Sequence, residues 1–288
     1  MQGTIIKIIS NQYTLLTEDN DIIQAVAMGK VRLQDKPVVG DKVEYDALDG
    51  QYGIQKILPR KNRLVRPAVA NVDQAMIVMS AIDPPFSSNL VDKLNFLISY
   101  EDIEPIIVIT KMDLVKEDDE VYRYIEDYRN SGYTVILSGH DLEVNDIEKV
   151  VCDNKITVLA GQSGVGKSTL LNKLNPDFEL QTQEISKARG RGKHTTRHTE
   201  LFPVGGGWVA DTPGFSSLDF SRIDAKMLAD SIKDFKNFPD CRFKDCVHIN
   251  EPDCAIKKGV EEGKVSAIRW QNYKEVVPLC NQRKEWEK

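Results

Sequence analysis

Two short polar motifs occur in this chain in an order that constrains the fold more than either motif alone. Thr110-Lys111-Met112-Asp113 closes an apolar run, Ile106 to Ile109. Gly161-Gln162-Ser163-Gly164-Val165-Gly166-Lys167-Ser168-Thr169 closes a second one, Ile156 to Ala160. Both runs read as buried strands. The second motif has the form G-x-x-x-x-G-K-[ST], and the helical stretch to Leu174 completes the strand–loop–helix context that such a loop needs. Its glycines let backbone N–H groups turn inward around phosphate oxygens, and the helix N-terminus adds partial positive charge there. A glycine-rich turn without a ligand is the competing reading.

Each motif carries a specific chemistry. Lys167 reaches β- and γ-phosphates, and the Ser168 hydroxyl sits on Mg²⁺. The Asp113 carboxylate can accept from guanine N1–H and its exocyclic amine, a donor pair adenine lacks. The stem of Lys111 can cover the base face. Alone, T-K-x-D reads equally as a solvated turn; beside a phosphate loop it reads as a base reader. Ser138-Gly139, after the strand Tyr133 to Leu137, is a candidate backbone contact to the base edge. Asp211-Thr212-Pro213-Gly214 follows a third strand, Trp208 to Ala210. There Asp211 would hold a magnesium water, and the Gly214 N–H would sense the γ-phosphate. Between these motifs lies Lys187 to Thr199, a basic run without acids, where Thr195 or Thr196 is expected on Mg²⁺.

Base motif, Ser-Gly, phosphate loop, threonines, then DxPG is the order of a circularly permuted GTPase; Ras-like enzymes place the phosphate loop first. The chain resembles the ribosome small-subunit-dependent GTPase A family over nearly its whole length, through GQSGVGKS, RGKHTT, DTPGF and a cysteine cluster. The resemblance implies an α/β P-loop GTPase core, circularly permuted. An N-terminal all-β OB-fold barrel and a C-terminal helical zinc-binding module would flank it, with domains 1–64, 65–220 and 221–288. It further implies GTP hydrolysis to GDP, stimulated by the small ribosomal subunit and its rRNA during late maturation of that subunit. Ras-like enzymes orient the attacking water with a glutamine after DxxG; here Phe215 stands there. The family uses a histidine of the first switch, which matches His194. A contact from His194 to RNA phosphate is the alternative. Lys167, Thr195, Thr196 and Gly214 complete the expected catalytic set.

Cys241, Cys246, His248 and Cys254 supply three thiols and an imidazole, a set suited to one closed tetrahedral zinc site. Disulfides are the rival reading. No leader opens the chain and no apolar run approaches the ~18 residues a membrane helix needs. A cytoplasmic protein without membrane association is therefore expected, and a reducing compartment favours metal. With no coiled-coil seam, a monomer is expected. Residues 1 to about 63 alternate and are rich in Ile, Val, Thr and Tyr. Gly3 to Ile9, Tyr13 to Thr17, Asp21 to Val26, Asp41 to Tyr45 and Gly53 to Ile57 read as the five strands of a small barrel.

The net charge of −6 argues against a general polyanion binder. The excess acid lies in 65–220, however, so the barrel, the basic run and the C-terminal module remain open as RNA-facing surfaces. Gly29 to Arg32 reads equally as an RNA-facing loop or a solvated turn. Arg269, Trp270, Tyr273 and Lys274 read as an RNA-contacting face or as helix packing. Rival functions are an ATPase or small-molecule kinase on the phosphate loop, a nucleotide-bound RNA scaffold, and a permuted GTPase serving another ribonucleoprotein.

Overall fold

The computed structural model describes residues 1–28, 36–48, 50–64, 68–139, 147–151, 153–174, 200–210 and 218–282. Its strands are β1 (Gln2–Ile9), β2 (Gln12–Thr17), β3 (Ile22–Ala27), β4 (Lys42–Leu48), β5 (Gln51–Ile57), β6 (Arg63–Leu64), β7 (Val69–Ala70), β8 (Gln74–Ser80), β9 (Glu104–Thr110), β10 (Thr134–Leu137), β11 (Ile156–Ala160), β12 (Leu201–Val204) and β13 (Gly207–Ala210). Its helices are α1 (Ser88–Tyr100), α2 (Val121–Asn130), α3 (Lys167–Leu174), α4 (Ala225–Ser231), α5 (Lys233–Lys236), α6 (Ala255–Glu261) and α7 (Ala267–Val276). Contacts divide the chain into two compact units. One comprises Met1–Gln74, Glu143–Leu159 and Lys167–Gly214; the other comprises Ala75–Leu142, Ala160–Gly166 and Phe215–Lys288.

In the first unit the five N-terminal strands close into a barrel, in the order β1-β2-β3-β5-β4. The five strands expected from alternation are all present. Inward positions along them (Ile5, Tyr13, Leu15, Ala25, Val43, Tyr45, Ile54) form one buried cluster. Each large aliphatic among them contributes roughly 1.5–3 kcal/mol by leaving water. β4 runs past Tyr45 because Asp46 and Ala47, weak strand formers, pair with Gly53 and Tyr52 of β5. Closure comes from a parallel pairing of β3 with β5, Ala25 opposite Tyr52 and Ala27 opposite Ile54. Asp41, fully buried, anchors the barrel base. It accepts from Arg60 Nε at 2.6 Å, Arg60 Nη2 at 2.8 Å and the Val38 N–H at 2.8 Å. The β6–β7 pair meets the same corner through Val69, which bridges Val39, and the Ala70 N–H, which donates to the Val39 carbonyl at 2.8 Å. Gly40 sits at φ +87° there, and a Cβ would lie 2.1 Å from the Ala70 carbonyl oxygen, so only glycine fits.

The first unit also holds β11, β13 and β12 side by side. β11 runs parallel to β13, and β12 returns antiparallel through Gly205-Gly206, both at positive φ, a two-residue hairpin turn. In the second unit β10, β9 and β8 lie side by side, with β10 and β9 parallel. β8 and β11 are buried at every position, as strands covered on both faces require. Ser87 caps α1, its hydroxyl accepting from the Leu90 N–H at 3.3 Å. The C-terminal helices do not build a core of their own. Phe96 and Leu97 of α1 share one apolar cluster with Phe220, Leu228, Phe235, Tyr273 and Val276.

Candidate nucleotide site and metal cluster

The base-reading motif and the phosphate loop meet in the second unit. Thr110, the last residue of β9, is buried, and its hydroxyl donates to the Val165 carbonyl at 2.6 Å. Val165 is itself fully buried and so pins the loop from inside. Gly161 leaves β11 at φ +136°, and a Cβ would stand 2.1 Å from the Val78 carbonyl oxygen of β8. No side chain fits there, which is the physical reason for the first glycine of the motif. Gln162, Ser163 and Gly164 are exposed, and Gly166, at φ +94°, faces Thr110. Helix α3 begins at Lys167, directly after this loop. Burial lowers the Lys167 ammonium pKa below its ordinary value. Any anion that approached would oppose that shift. Ser168 and Thr169 are exposed on the first turn of α3.

The base end is built by backbone. Lys111 adopts the left-handed conformation, which turns the chain into a 3₁₀ turn over Met112–Leu114. The Met112 N–H donates to the Ser138 carbonyl at 3.0 Å, and the Ser138 N–H donates to the Ile109 carbonyl at 2.8 Å. Gly139 lies against Asp113: an added Cβ would stand 3.2 Å from its N and Oδ1. The ammonium of Lys111 donates to the Asp83 carbonyl, and Asp113 is exposed. Thr110, Lys111, Met112, Asp113, Ser138 and Gly161 to Gly166 are thus gathered at the carboxyl ends of β9, β10 and β11, where open α/β sheets bind ligands. His194, Thr195, Thr196, Asp211, Gly214 and Phe215 lie outside the described residues, as do Gly29 to Arg32.

Cys241, Cys246, His248 and Cys254 converge so that their ligand atoms all lie within 4.8 Å of one another. His248 Nδ1 is 3.3 Å from Cys246 Sγ, 3.3 Å from Cys254 Sγ and 3.5 Å from Cys241 Sγ. Bonds of about 2.3 Å to sulfur and 2.0–2.1 Å to nitrogen give tetrahedron edges of roughly 3.5–3.8 Å, close to these values and to the 3.8 Å between Cys241 and Cys254. The cluster can hold one metal ion. The Cys241–Cys254 separation is far beyond a disulfide bond of about 2.05 Å. Burial pushes the Cys246 thiol up to about 12 and pulls His248 below the ordinary imidazole range. Thiolates here therefore need a cation beside them. The loop is held from α7: Trp270 Nε1 donates to the His248 carbonyl at 3.0 Å and Tyr273 OH to the Val247 carbonyl at 2.9 Å.

Those two bonds decide the reading of Trp270 and Tyr273 as packing residues. Arg269 is also interior, at 0% exposed. Its Nη1 pairs with Asp234 and donates to Ser131 Oγ at 2.9 Å, and its Nη2 lies 3.2 Å from Asp127. Nε approaches Asp92 at 3.3 Å but without hydrogen-bond alignment. The guanidinium carbon also lies 4.7 and 4.8 Å from the ring centroids of Tyr128 and Tyr133, which meet each other edge to face. One cation thereby ties α7 to α1, α2 and α5. Sequence reasoning missed this node because its acids come from three distant segments; it also missed the Thr110 latch, since a threonine beside a base motif reads first as a ligand contact.

A sequence profile described as RsgA GTPase matches residues 57–221, and one described as RsgA N-terminal domain matches 2–54. The chain belongs to the RsgA GTPase family. It is 46% identical to the small ribosomal subunit biogenesis GTPase RsgA of Bacillus cereus and 44% identical to that of Bacillus subtilis, with 98% of each chain covered. Among solved structures it matches YloQ, titled a circularly permuted GTPase, at TM-score 0.84 and 40% identity, covering 98% of this chain and 96% of that one. YjeQ from Thermotoga maritima matches at TM-score 0.84 and 34% identity, covering 98% and 99%. The RsgA-family chain is therefore a GTP hydrolase with a circularly permuted GTPase fold and an N-terminal five-stranded barrel. Among the described residues no helix is long and apolar enough to cross a membrane.

Proposed function

We propose that the chain hydrolyses GTP under the control of the small ribosomal subunit and acts late in that subunit's maturation. One observation carries the nucleotide half of this reading: Thr110 Oγ1 binds the Val165 carbonyl at 2.6 Å, so the base motif and the phosphate loop are held as one unit. Asp113 takes the guanine edge, with Lys111 along the base face and the Ser138-Gly139 backbone beside it. The N–H groups of Gly161 to Gly166, the start of α3 and Lys167 take the phosphates. Ser168, Thr196 and Asp211 are the residues that would hold Mg²⁺, which when bound neutralises charge on the β- and γ-oxygens. Of these Ser168 stands exposed beside the loop, as a metal ligand there must. His194, with Phe215 unable to bind water, orients the attacking water once the subunit is bound. Thr195, Thr196 and Gly214 contact or sense the γ-phosphate.

The ribosomal half is supported by the names of relatives that match this chain end to end. The barrel, the basic run Lys187 to Thr199 and the C-terminal module are the candidate surfaces for rRNA. The proposed domain limits are 1–64, 65–220 and 221–288. Zinc suits three thiols and an imidazole at these separations, and would join Cys241, Cys246, His248 and Cys254 into one structural site. The cytoplasm is the compartment this work requires, and a monomer is the expected state. The test is single-turnover GTP hydrolysis with and without purified small subunits. Stimulation in wild type, and its loss in His194→Ala with GDP affinity retained, is expected. Full stimulation in His194→Ala removes that residue from the mechanism.

A further inference from the structure

We infer that Glu251 is a positioning residue of the metal centre: its carboxylate holds the backbone on both sides of His248, so that the imidazole stays turned toward the three thiols. The inference rests on the metal reading above and names a residue outside the ligand set on which the site depends. Glu251 Oε1 accepts from the Val247 N–H at 2.8 Å, and Oε2 accepts from the Ile249 N–H at 2.9 Å. These two N–H groups flank His248, so one carboxylate spans the ligand. From α7, Tyr273 takes the Val247 carbonyl and Trp270 takes the His248 carbonyl. The His248 N–H is hydrogen-bonded to the Cys246 sulfur. Every polar atom of the two peptide groups that meet at His248 therefore has a partner, and Glu251, Trp270 and Tyr273 supply all but one of them.

The bonding matters because His248 sits at φ +62°. A residue other than glycine persists in the left-handed region where its surroundings over-determine it. Turned this way, the ring presents Nδ1 to all three sulfurs, at 3.3, 3.3 and 3.5 Å. A ligand whose backbone is already fixed loses less freedom when it binds, so the clamp should tighten the site. Burial works to raise the Glu251 carboxyl, but the surrounding N–H groups, that of Val247 first among them, outweigh it and hold it below the ordinary carboxylate range. The convergent group comprises Cys241, Cys246, His248 and Cys254 and leaves Glu251 out.

Zinc affinity separates this role from that of a plain loop staple. The full chain and its Glu251→Ala and Glu251→Gln variants are loaded with zinc, and the dissociation constant is measured by competition with a chromophoric chelator. Cobalt(II) substitution gives the visible spectrum of the ligand set. Thermal midpoints are taken with saturating zinc and with chelator. Glu251→Ala should weaken zinc about 10- to 100-fold, the range that partners behind metal ligands show. Its cobalt spectrum should keep the wild-type thiolate bands, and its GDP affinity should be unchanged. Glu251→Gln, which keeps one acceptor oxygen, should lose less. The gap between the two midpoints should narrow in Glu251→Ala, because an ion stabilises a fold according to its affinity for it. Unchanged zinc affinity in that variant, or a midpoint lowered equally with zinc and with chelator, overturns the inference and leaves the metal reading intact. A cobalt spectrum altered as in Cys246→Ser would make Glu251 a ligand and overturns it too. A wild-type chain that binds neither zinc nor cobalt overturns the metal reading and this inference together.

Discussion

Replacing Arg269 with methionine should be the most damaging single change outside the nucleotide site. The guanidinium is wholly buried against Asp92, Asp127 and Asp234, and Asp92 and Asp234 are themselves interior. Methionine fills similar volume but leaves uncompensated buried charge, which costs about 3–5 kcal/mol. At roughly 2–4 °C per kcal/mol for a domain of this size, the midpoint should fall by about 6–20 °C. The pH dependence has a definite sign. Burial raises Asp92 to about 6, with Arg269 pulling the other way. A carboxyl whose folded pKa lies above its unfolded value contributes stability that is present at low pH and lost as pH rises through the folded value. Without Arg269 that value rises further. The deficit against wild type should therefore narrow between pH 7.5 and pH 5.5. Thermal unfolding followed by circular dichroism at both pH values is the assay. Adding Asp92→Asn and Asp234→Asn to Arg269→Met should recover much of the loss. A midpoint drop under about 2 °C, or a deficit that widens in acid, refutes the claim that this ion cluster holds the C-terminal helices to α1 and α2.

Three further outcomes follow from the same geometry. Gly161→Ala should cost GDP affinity more than tenfold, because its Cβ would stand 2.1 Å from the Val78 carbonyl oxygen; calorimetric titration checks this, and near-wild-type affinity would show the loop free to shift. Cys246→Ser, or a strong chelator, should release one equivalent of zinc, read by metal analysis, and lower the thermal midpoint; a metal-free wild-type protein of unchanged stability would refute a structural ion. Asp113→Asn should weaken guanine selectivity in nucleotide competition, and an unchanged preference for GTP over other purine nucleotides would contradict its assignment.

Much of the fold was legible where a local rule decides it. The five barrel strands follow from alternation, and the phosphate loop from its spacing and the strand before it. The Cys₃His cluster needs only short-range folding to assemble, since its members lie within 241–254. What stayed hidden depends on contacts between distant segments. Nothing local in Arg-Trp-Gln-Asn-Tyr-Lys says that Arg269 points inward, because its carboxylates lie 35 to 177 positions away. The parallel β3–β5 closure and the sharing of α1 between the central strands and the C-terminal core are hidden for the same reason. Thr110 shows the limit most sharply: its residue type fits a ligand contact, and only the position of Val165 reveals a latch.

The account's central claim is that segments rearranged in sequence serve one guanine nucleotide. A crystal structure of the chain with GDP tests it most directly. The account predicts guanine against Asp113 and the Ser138-Gly139 backbone, with phosphates on the N–H groups of Gly161 to Gly166 and beside Lys167. Phosphates bound at Lys167 with the base turned away from Asp113 would contradict it.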